Sequence, residues 1–279
     1  MTSQQVLITV DELVEAMLSS RPPVVLDVRW QLGDPAGGDH YRAGHLPGAV
    51  FVDLDTELAA PATAEAGRHP LPELADLQAA ARRWGVGVGS RVVVYDDWEG
   101  KAAARAWWLL RWGGLTDVTI LDGGLGAWQA AGMRVSTGNA TPRAGNVVLT
   151  GGQLPTIGID DVAAADAAST LLLDARAPER FRGETEPVDP RPGHIPGAVS
   201  APTGANVTAD GRFRPEAELR DRFGALGAAD REVVVYCGSG VTAAHQIAAL
   251  AIAGIPATLF PGSYSQWSAD AARPVAVGR

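Results

Sequence analysis

One segment decides the fold of this 279-residue chain: Val233-Val234-Val235-Tyr236-Cys237-Gly238-Ser239-Gly240-Val241-Thr242. Its β-branched start predicts a buried strand, and the apolar, alanine-rich run over 243–253 predicts a helix, with a glycine-containing turn between them. Cys237, the only cysteine in the chain, falls at that turn. Because the start of a helix presents unpaired N–H groups and a positive dipole end, this position stabilises a thiolate. The pattern therefore favours a reactive thiol over the alternative, a small buried side chain in the core.

The length and composition of the chain indicate a globular protein of two ordinary domains. Hydrophobic residues make up 46% of the sequence, and the formal net charge of −9 argues against nucleic acid or an acidic membrane surface as a partner. A single cysteine suits a reducing compartment, because it cannot form an internal disulfide. Residues 1–6 lack the features of a signal peptide, and the longest apolar run, 247–255, is too short to span a bilayer. We expect a cytoplasmic protein.

The chain also contains an internal duplication. Four segments recur in the same order roughly 140 to 150 residues apart, a period suited to a whole domain. The pairs are 26–29 with 173–176, 44–50 with 193–199, 92–95 with 233–236, and Gly123 and Trp128 with Gly262 and Trp267. Strands alternate with helices in each half, which predicts two α/β domains, each a mainly parallel sheet flanked by helices. We place the first domain at residues 1–137, a linker at 138–157 and the second domain at 158–279.

Two recurring motifs identify a family. The sequence Gly-His-Leu/Ile-Pro-Gly-Ala follows a strand ending in Asp-x-Arg at 44–49 and again at 193–198, and the Cys237 turn is followed by Phe260-Pro261-Gly262-Ser263. Together these residues resemble the tandem-domain rhodanese superfamily of sulfurtransferases over nearly the whole chain. The resemblance implies that the C-terminal domain carries the nucleophile. The repeat places Asp96 opposite Cys237, so the first domain is expected to be catalytically inactive.

The resemblance also implies an activity. Members move a sulfane sulfur from 3-mercaptopyruvate or thiosulfate to a thiophilic acceptor, which is cyanide, a small thiol or a thioredoxin-like protein, through a cysteine persulfide and without a cofactor. The loop from Cys237 to Thr242 contains no cation and is similar to the loop of 3-mercaptopyruvate members, so that donor is slightly favoured. Two alternatives stay open: a non-enzymatic persulfide carrier or sensor, and a cysteine phosphatase. The second is disfavoured because Ala243 stands where the resemblance to phosphatase loops requires an arginine.

The expected site combines residues of both halves. The resemblance implies a substrate clamp from Arg180 and Arg191, whose guanidinium groups suit a carboxylate. It also implies a catalytic group of Ser239, His69 and Asp55 beside Cys237, in which a carboxylate orients the imidazole. The backbone of Gly238, Gly240, Val241 and Thr242 is expected to cradle the transferred sulfur. No metal site is expected, because the histidines lack partners at ligand spacing.

Overall fold

The computed structural model describes residues 5–278. Residues 1–4, part of the segment on which the signal-peptide prediction rests, and residue 279 lie outside the described residues. The chain forms two compact units. The first unit comprises the described residues up to Ala60, Pro72–Gln153 and Thr208–Phe213; the second comprises Pro61–Leu71, Leu154–Val207 and the described residues from Arg214 onward. Each unit thus includes a short segment from the other sequence repeat, and the predicted linker at 138–157 stays a prediction.

The first unit is built on a parallel sheet. In its described part the strands lie in the order β1-β5-β4-β2-β3. The strands are β1 Leu7–Ile8, β2 Val24–Asp27, β3 Val50–Phe51, β4 Val92–Tyr95 and β5 Val118–Leu121. The helices are α1 Val10–Met17, α2 Gly37–Ala43, α3 Leu54–Glu57, α4 Leu74–Arg83, α5 Lys101–Trp112 and α6 Gly124–Ala130. Asp27 pairs with both Phe51 and Tyr95, so the carboxyl ends of three neighbouring strands meet at one edge.

The second unit repeats this arrangement. Its described strands lie in the order β7-β6-β8-β9, and every pairing is parallel. The strands are β6 Thr170–Asp174, β7 Val199–Ser200, β8 Glu232–Tyr236 and β9 Ala257–Leu259. The helices are α7 Ile159–Ala164, α8 Pro178–Phe181, α9 Glu216–Ala225, α10 Val241–Ile252 and α11 Ser263–Ala269, with a 3-10 turn over Thr203–Asn206. The central strand β8 carries Cys237 immediately after its carboxyl end, as the sequence predicts.

Four strands of the first sheet, β5-β4-β2-β3, match the order β9-β8-β6-β7 of the second, and β1 has no counterpart among the described strands of the second unit. The shared order confirms the duplication and the predicted α/β class. Strands β4 and β8 occupy matching central positions and are buried on both faces, because flanking helices cover them. Each strand ends in a buried tyrosine that anchors a Gly-His-x-Pro-Gly turn. The hydroxyl of Tyr95 accepts the N–H of Leu46 at 3.0 Å, and the hydroxyl of Tyr236 accepts the N–H of Ile195 at 3.2 Å. The duplicated motif is therefore a structural tie between strand and turn.

Within residues 5–278, no helix combines the length and the apolar character that crossing a membrane requires.

Candidate functional site

Cys237 lies in the loop between β8 and α10 of the second unit. Its side chain is 1% exposed, and its Sγ accepts the N–H of Gly240 at 3.1 Å. Gly240 precedes the first residue of α10 and has a φ of +85°, a conformation that glycine adopts without strain. The turn thus brings the sulfur to the start of a twelve-residue helix. The N–H groups and the dipole at that end stabilise negative charge on the sulfur.

Residues 263–265, at the start of α11, bind the backbone of the cysteine loop. The N–H groups of Tyr264 and Ser265 donate to the carbonyls of Cys237 and Gly238, both at 2.9 Å. The N–H of Cys237 donates to the Oγ of Ser263 at 3.2 Å. Ser263 itself has a φ of +53°, which is uncommon for a residue with a side chain. The loop is therefore fixed through its backbone, which leaves the side chains of Cys237 and Ser239 available for chemistry.

The structure brings His69 and Ser239 together within the second unit. The Nδ1 of His69 and the Oγ of Ser239 are 2.7 Å apart, and both residues are buried. A serine two residues after Cys237 thus shares a hydrogen bond with a histidine 170 residues away in sequence. Asp55 lies in α3 of the first unit, where its Oδ1 accepts the Nε1–H of Trp30 at 2.9 Å. Its predicted role beside His69 stays a prediction.

Arg180, predicted to bind substrate, lies at the cysteine loop. Its Nη2 donates to the carboxylates of Glu186 at 2.6 Å and Asp189 at 2.9 Å, and its Nε donates to Glu186 at 3.2 Å. A Cβ built on Gly238 would lie 3.5 Å from its Nη1. The guanidinium is thus held by two carboxylates next to the residue that follows Cys237.

Arg191, the other predicted clamp residue, is surrounded by backbone carbonyls near the end of α11. Its guanidinium donates to the carbonyls of Ser268, Trp267, Asp270 and Arg273 at 2.6 to 3.0 Å. A cation at this position satisfies carbonyls that have no partner within the helix. Each of the three guanidinium nitrogens already has an acceptor, so substrate binding by Arg191 stays a prediction that requires some of these bonds to break.

Three charged residues beside the loop were not predicted from the sequence: Arg68, Glu186 and Asp189. The Nη1 of Arg68 donates to the Oδ1 of Asp189, and a Cβ built on Gly238 would lie 2.8 Å from the Nη2 of Arg68. Burial raises the pKa of Asp189, and the charges of Arg68 and Arg180 oppose that rise. Burial also acts to raise the pKa of Glu186, but hydrogen bonds from Arg180 and backbone amides outweigh it and the pKa is lowered. The available signal was the position of Arg68, next to the predicted His69.

The matching loop of the first unit holds a carboxylate in place of the thiol. Asp96 follows β4 and is fully buried. Its Oδ1 accepts the N–H groups of Trp98 and Gly100, both at 2.8 Å, and its Oδ2 accepts those of Ala102 and Ala103 at 2.8 and 2.9 Å. Burial raises the pKa of Asp96, while these amides oppose the rise. The loop is thus an anion site built from backbone N–H groups, and here the chain itself supplies the anion.

Known proteins resemble this chain over its full length. The sequence model of the rhodanese-like domain matches twice, over residues 9–131 and 160–270. A Mycobacterium tuberculosis protein named thiosulfate sulfurtransferase SseB is 49% identical over an alignment of 287 positions, gaps included, which covers 98% of each chain. A Pseudomonas aeruginosa protein named 3-mercaptopyruvate sulfurtransferase is 47% identical over an alignment of 288 positions, gaps included, which covers both chains completely. The two names carry different sulfur donors at nearly the same identity.

A solved structure extends the comparison to three dimensions. The crystal structure of SseA from Escherichia coli, a 3-mercaptopyruvate sulfotransferase, superposes with a TM-score of 0.83 at 31% sequence identity. The match covers 93% of this chain and 98% of SseA. Both repeats and their order are therefore shared with a solved relative.

Proposed function

Because this chain belongs to the rhodanese-like domain family of sulfurtransferases, we propose that it transfers sulfur through a persulfide on Cys237, with 3-mercaptopyruvate preferred over thiosulfate. The observation that carries the proposal is the position of Cys237 Sγ, which accepts the Gly240 N–H at 3.1 Å at the start of α10. A thiolate placed there is a nucleophile whose negative charge the backbone stabilises.

The first half-reaction breaks the bond between carbon and sulfur in the donor. The Cys237 thiolate attacks the sulfur of 3-mercaptopyruvate, and the electron pair of the C–S bond moves to carbon as the enolate of pyruvate. The proton of the donor thiol ends on that carbon, which gives pyruvate and the Cys237 persulfide anion. With thiosulfate the same attack breaks the S–S bond, and the electron pair leaves with sulfite. In the second half-reaction an acceptor nucleophile attacks the outer sulfur and regenerates the Cys237 thiolate.

The loop of the first unit supports the way in which the persulfide is held. In a cysteine persulfide and in an aspartate, the atoms that carry the negative charge lie two bonds beyond Cβ: the outer sulfur in the persulfide and the two carboxylate oxygens in the aspartate. The first loop is one residue longer, because Gly100 comes four residues after Asp96 and Gly240 three residues after Cys237. Counted from the strand end, the donor Trp98 corresponds to Ser239; counted from the helix start, the donors Gly100, Ala102 and Ala103 correspond to Gly240, Thr242 and Ala243. We propose that these amides, which include Gly240 and Thr242 of the predicted cradle, hold the outer sulfur and stabilise the anion as an oxyanion hole does.

His69 and Ser239 are suited to moving the donor's proton. Their hydrogen bond of 2.7 Å lies two residues from the sulfur nucleophile in the chain. A neutral imidazole accepts a proton at one nitrogen and holds one at the other, so the pair can carry the thiol proton toward the enolate carbon. Asp55 is the proposed third member, and it would orient the imidazole.

The donor preference rests on where the positive charge lies. The cysteine loop has no cationic side chain, whereas Arg180 stands beside Gly238 and presents a guanidinium to a carboxylate. We assign the acceptor to the class of small thiols, cyanide or a thioredoxin-like protein, and the reaction to the cytoplasm, because one unpaired cysteine suits a reducing compartment.

The test compares the two donors in steady-state kinetics. We expect a higher kcat/KM for 3-mercaptopyruvate than for thiosulfate, and we expect Arg180→Ala to lower the 3-mercaptopyruvate value by roughly tenfold or more, the scale of a charge-assisted hydrogen bond. Arg182→Ala is the matched control, because Arg182 is exposed and pairs with Glu184. A higher kcat/KM for thiosulfate, or equal losses in both variants, would refute the donor assignment.

A second measurement separates an enzyme from a carrier. Mass spectrometry of the protein after donor treatment should show one added sulfur atom on Cys237, and turnover should far exceed one sulfur per protein. Labelling without turnover would favour a carrier or sensor. Hydrolysis of an aryl phosphate would favour a phosphatase, and none is expected because Ala243 supplies no charge for the phosphoryl group.

A further inference from the structure

Helix α10, which begins at the cysteine loop, carries two fully buried polar residues, His245 and Gln246. The other buried residues of this helix are alanine, valine, leucine and isoleucine. Contacts between apolar side chains have no preferred direction, whereas a hydrogen bond fixes both a distance and an angle. The hydrogen bonds of this polar pair therefore set the position of α10 more strictly than its apolar contacts do.

The partners of the polar pair lie in the 3-10 turn Thr203–Asn206, which follows the edge strand β7. His245 Nδ1 and Thr203 Oγ1 share a hydrogen bond of 2.6 Å. The Nδ2 of Asn206 donates to the Oε1 of Gln246 at 2.7 Å and to the Oγ1 of Thr203 at 3.3 Å. All four side chains are buried. Helix α10 is thus joined to the turn by a cluster of internal hydrogen bonds.

This cluster is not optimised for stability alone. Within residues 5–278, the Oδ1 of Asn206 and the Nε2 of Gln246 have no hydrogen-bond partner. A buried polar atom without a partner destabilises the fold, and apolar side chains of the same shape would avoid that loss. The polar residues at this place therefore require a reason other than stability.

A chain of three hydrogen bonds connects the two ends of the cysteine loop. The carbonyl of Tyr236 accepts the N–H of Ala175 at 2.9 Å, and the carbonyl of Ala175 accepts the N–H of Thr203 at 3.1 Å. The third bond is the one between Thr203 and His245. Ala175, Thr203 and His245 thus form a link from the residue before Cys237 to the fifth residue of α10. The link closes a ring that contains Cys237 and the helix start.

The first unit has a related connection in the same place. Arg105 is the fifth residue of α5, as His245 is of α10, and it is fully buried. Its Nε and Nη2 donate to the carbonyl of Leu58 at 3.2 and 3.1 Å. Leu58 lies at the end of α3, which follows the edge strand β3, the counterpart of β7. In both units, a buried polar side chain therefore ties the helix after the central strand to the segment after the edge strand.

We propose that Thr203 and His245 are positioning residues for sulfur transfer. Their hydrogen bond holds the start of α10 at the place where the N–H groups of Gly240 and Thr242 converge on the sulfur of Cys237. The inference rests on the proposed function, since the group held in place is the cradle for the persulfide. Donors that are already in position stabilise a developing anion without rearrangement. A small displacement of the helix start therefore weakens the transition state more than it weakens donor binding.

The test compares two substitutions of Thr203. Thr203→Val removes the hydroxyl and keeps the shape of the side chain, whereas Thr203→Ser keeps the hydroxyl. With 3-mercaptopyruvate as the donor, we expect Thr203→Val to lower kcat by roughly tenfold, the scale of one hydrogen bond. We expect its KM to change by less than about twofold, and we expect Thr203→Ser to keep kcat within about twofold of wild type.

A second measurement needs no sulfur donor. The N–H of Gly240 donates to the Sγ of Cys237 at 3.1 Å, so its amide signal in the NMR spectrum of isotope-labelled protein reports the position of the helix start relative to the sulfur. We expect this signal to move in Thr203→Val and to return toward its wild-type position in Thr203→Ser.

Thr170→Val is the matched control, because it removes a threonine hydroxyl from the same unit. Thr170 is half-buried at the amino end of β6, whereas the cysteine loop lies at the carboxyl end of the sheet. We expect a wild-type kcat and an unchanged Gly240 signal in this variant.

If Thr203→Val does not fold, His245→Leu and His245→Asn provide the same comparison from the helix. Asparagine places an amide atom two bonds beyond Cβ, where Nδ1 of the imidazole lies, so His245→Asn should keep more of the kcat than His245→Leu does. A wild-type kcat in Thr203→Val would overturn the inference, even if the Gly240 signal moves. Equal losses of kcat in Thr203→Val and Thr203→Ser would overturn it as well, since the hydroxyl would then make no difference.

The two proposals fail in different ways. If wild-type protein turns over neither sulfur donor but the Gly240 signal depends on the hydroxyl of Thr203, the link holds the helix start and the proposed function is wrong. If wild-type protein turns over 3-mercaptopyruvate and Thr203→Val matches it in kcat, the function stands and the positioning role is overturned.

Discussion

The loop after β4 and the loop after β8 have similar architectures, the first being one residue longer, and they carry different side chains directly after the strand. Each connects a buried central strand to a twelve-residue helix through a glycine with a φ near +80°, Gly100 in the first unit and Gly240 in the second. Asp96 fills the first loop with a carboxylate that four backbone N–H groups bind. Cys237 brings a single sulfur to the second loop, where Gly240 donates to it. The same kind of anion-binding turn thus has a structural role in the first unit, where the Asp96 carboxylate always occupies it. In the second unit it is suited to catalysis, because the anion forms on the sulfur and is lost again during transfer.

Placing an aspartate, the residue of the first loop, at the position of Cys237 is the strongest test of this comparison. We expect Cys237→Asp to lower sulfur transfer to roughly a thousandth of wild type or less, because the nucleophile is gone. We also expect it to exceed Cys237→Ser in stability by about 1–3 kcal/mol, because the carboxylate takes up N–H groups that serine cannot reach. Turnover assays and urea unfolding of the two variants check both parts. Measurable turnover in Cys237→Asp would break the comparison.

Emptying the first loop is expected to destabilise the protein. Asp96→Ala leaves the buried N–H groups of Gly100, Ala102 and Ala103 and the half-buried N–H of Trp98 without acceptors, and we expect the free energy of unfolding to fall by about 3–5 kcal/mol. Urea unfolding measures the loss. Asp117→Ala is the control, because Asp117 is exposed and its nearest cation is 3.5 Å away, so we expect a change below about 0.5 kcal/mol. A loss in Asp96→Ala no larger than in the control would show that the carboxylate is not needed in the loop.

The strand ends beside the two loops differ as well. Arg176 donates its Nε and Nη2 to the Asp174 carboxylate, whereas Arg29 donates to Asp27 through Nη2 alone. Burial raises the pKa of Asp27 to about 6, against opposing contributions from Arg29 and Tyr95. The native state therefore holds this proton to a higher pH than the unfolded chain does, and the resulting stability is lost as the pH rises from about 4 to 6.

Asp27→Asn tests that pH dependence. Between pH 4 and 6.5 the wild type should lose on the order of 2 kcal/mol more unfolding free energy than the variant, which is most of the roughly 3 kcal/mol that the shift in pKa corresponds to. Chemical unfolding of both proteins across this range measures the difference. Parallel curves for the two proteins would contradict the assignment of the proton to Asp27.

The smallest expected effect concerns the side-chain hydroxyl of Ser239, whose contribution can be distinguished from that of the backbone N–H groups in the loop. Position 239 is a serine bonded to His69, whereas the matching position in the first loop is Trp98, which contributes only its N–H. We expect Ser239→Ala to lower kcat by roughly tenfold and to leave KM nearly unchanged, since one hydrogen bond in the transition state is lost. Ser169→Ala, at an exposed turn, is the control. A wild-type kcat in Ser239→Ala would restrict the loop's contribution to its backbone.

The sequence predicts those features that depend on local pattern. The β-branched run before Cys237 and the alanine-rich run after it are strand β8 and helix α10, and the repeated motifs match the repeated sheets. The pairing of His69 with Ser239 was also anticipated, through the family resemblance.

The features that escaped prediction depend on contacts between distant segments. No periodicity indicates that Arg68 and Arg180 share Asp189, because the partner of an ion pair is chosen by tertiary packing. The carbonyls around Arg191 could not be anticipated either, since they belong to a helix end located about 80 residues later. The sign of each charge can be read from the sequence, whereas the partner of each charged residue depends on the fold.

The membership of residues 61–71 in the second unit has a consequence for synthesis and for inheritance. His69 is synthesised 170 residues before Ser239, so the hydrogen bond between them can form only after most of the chain has been translated. A gene cut between the two repeats would separate the histidine from the thiol. The two similar halves are therefore not independent modules, because residues 61–71 of the first repeat belong to the second unit.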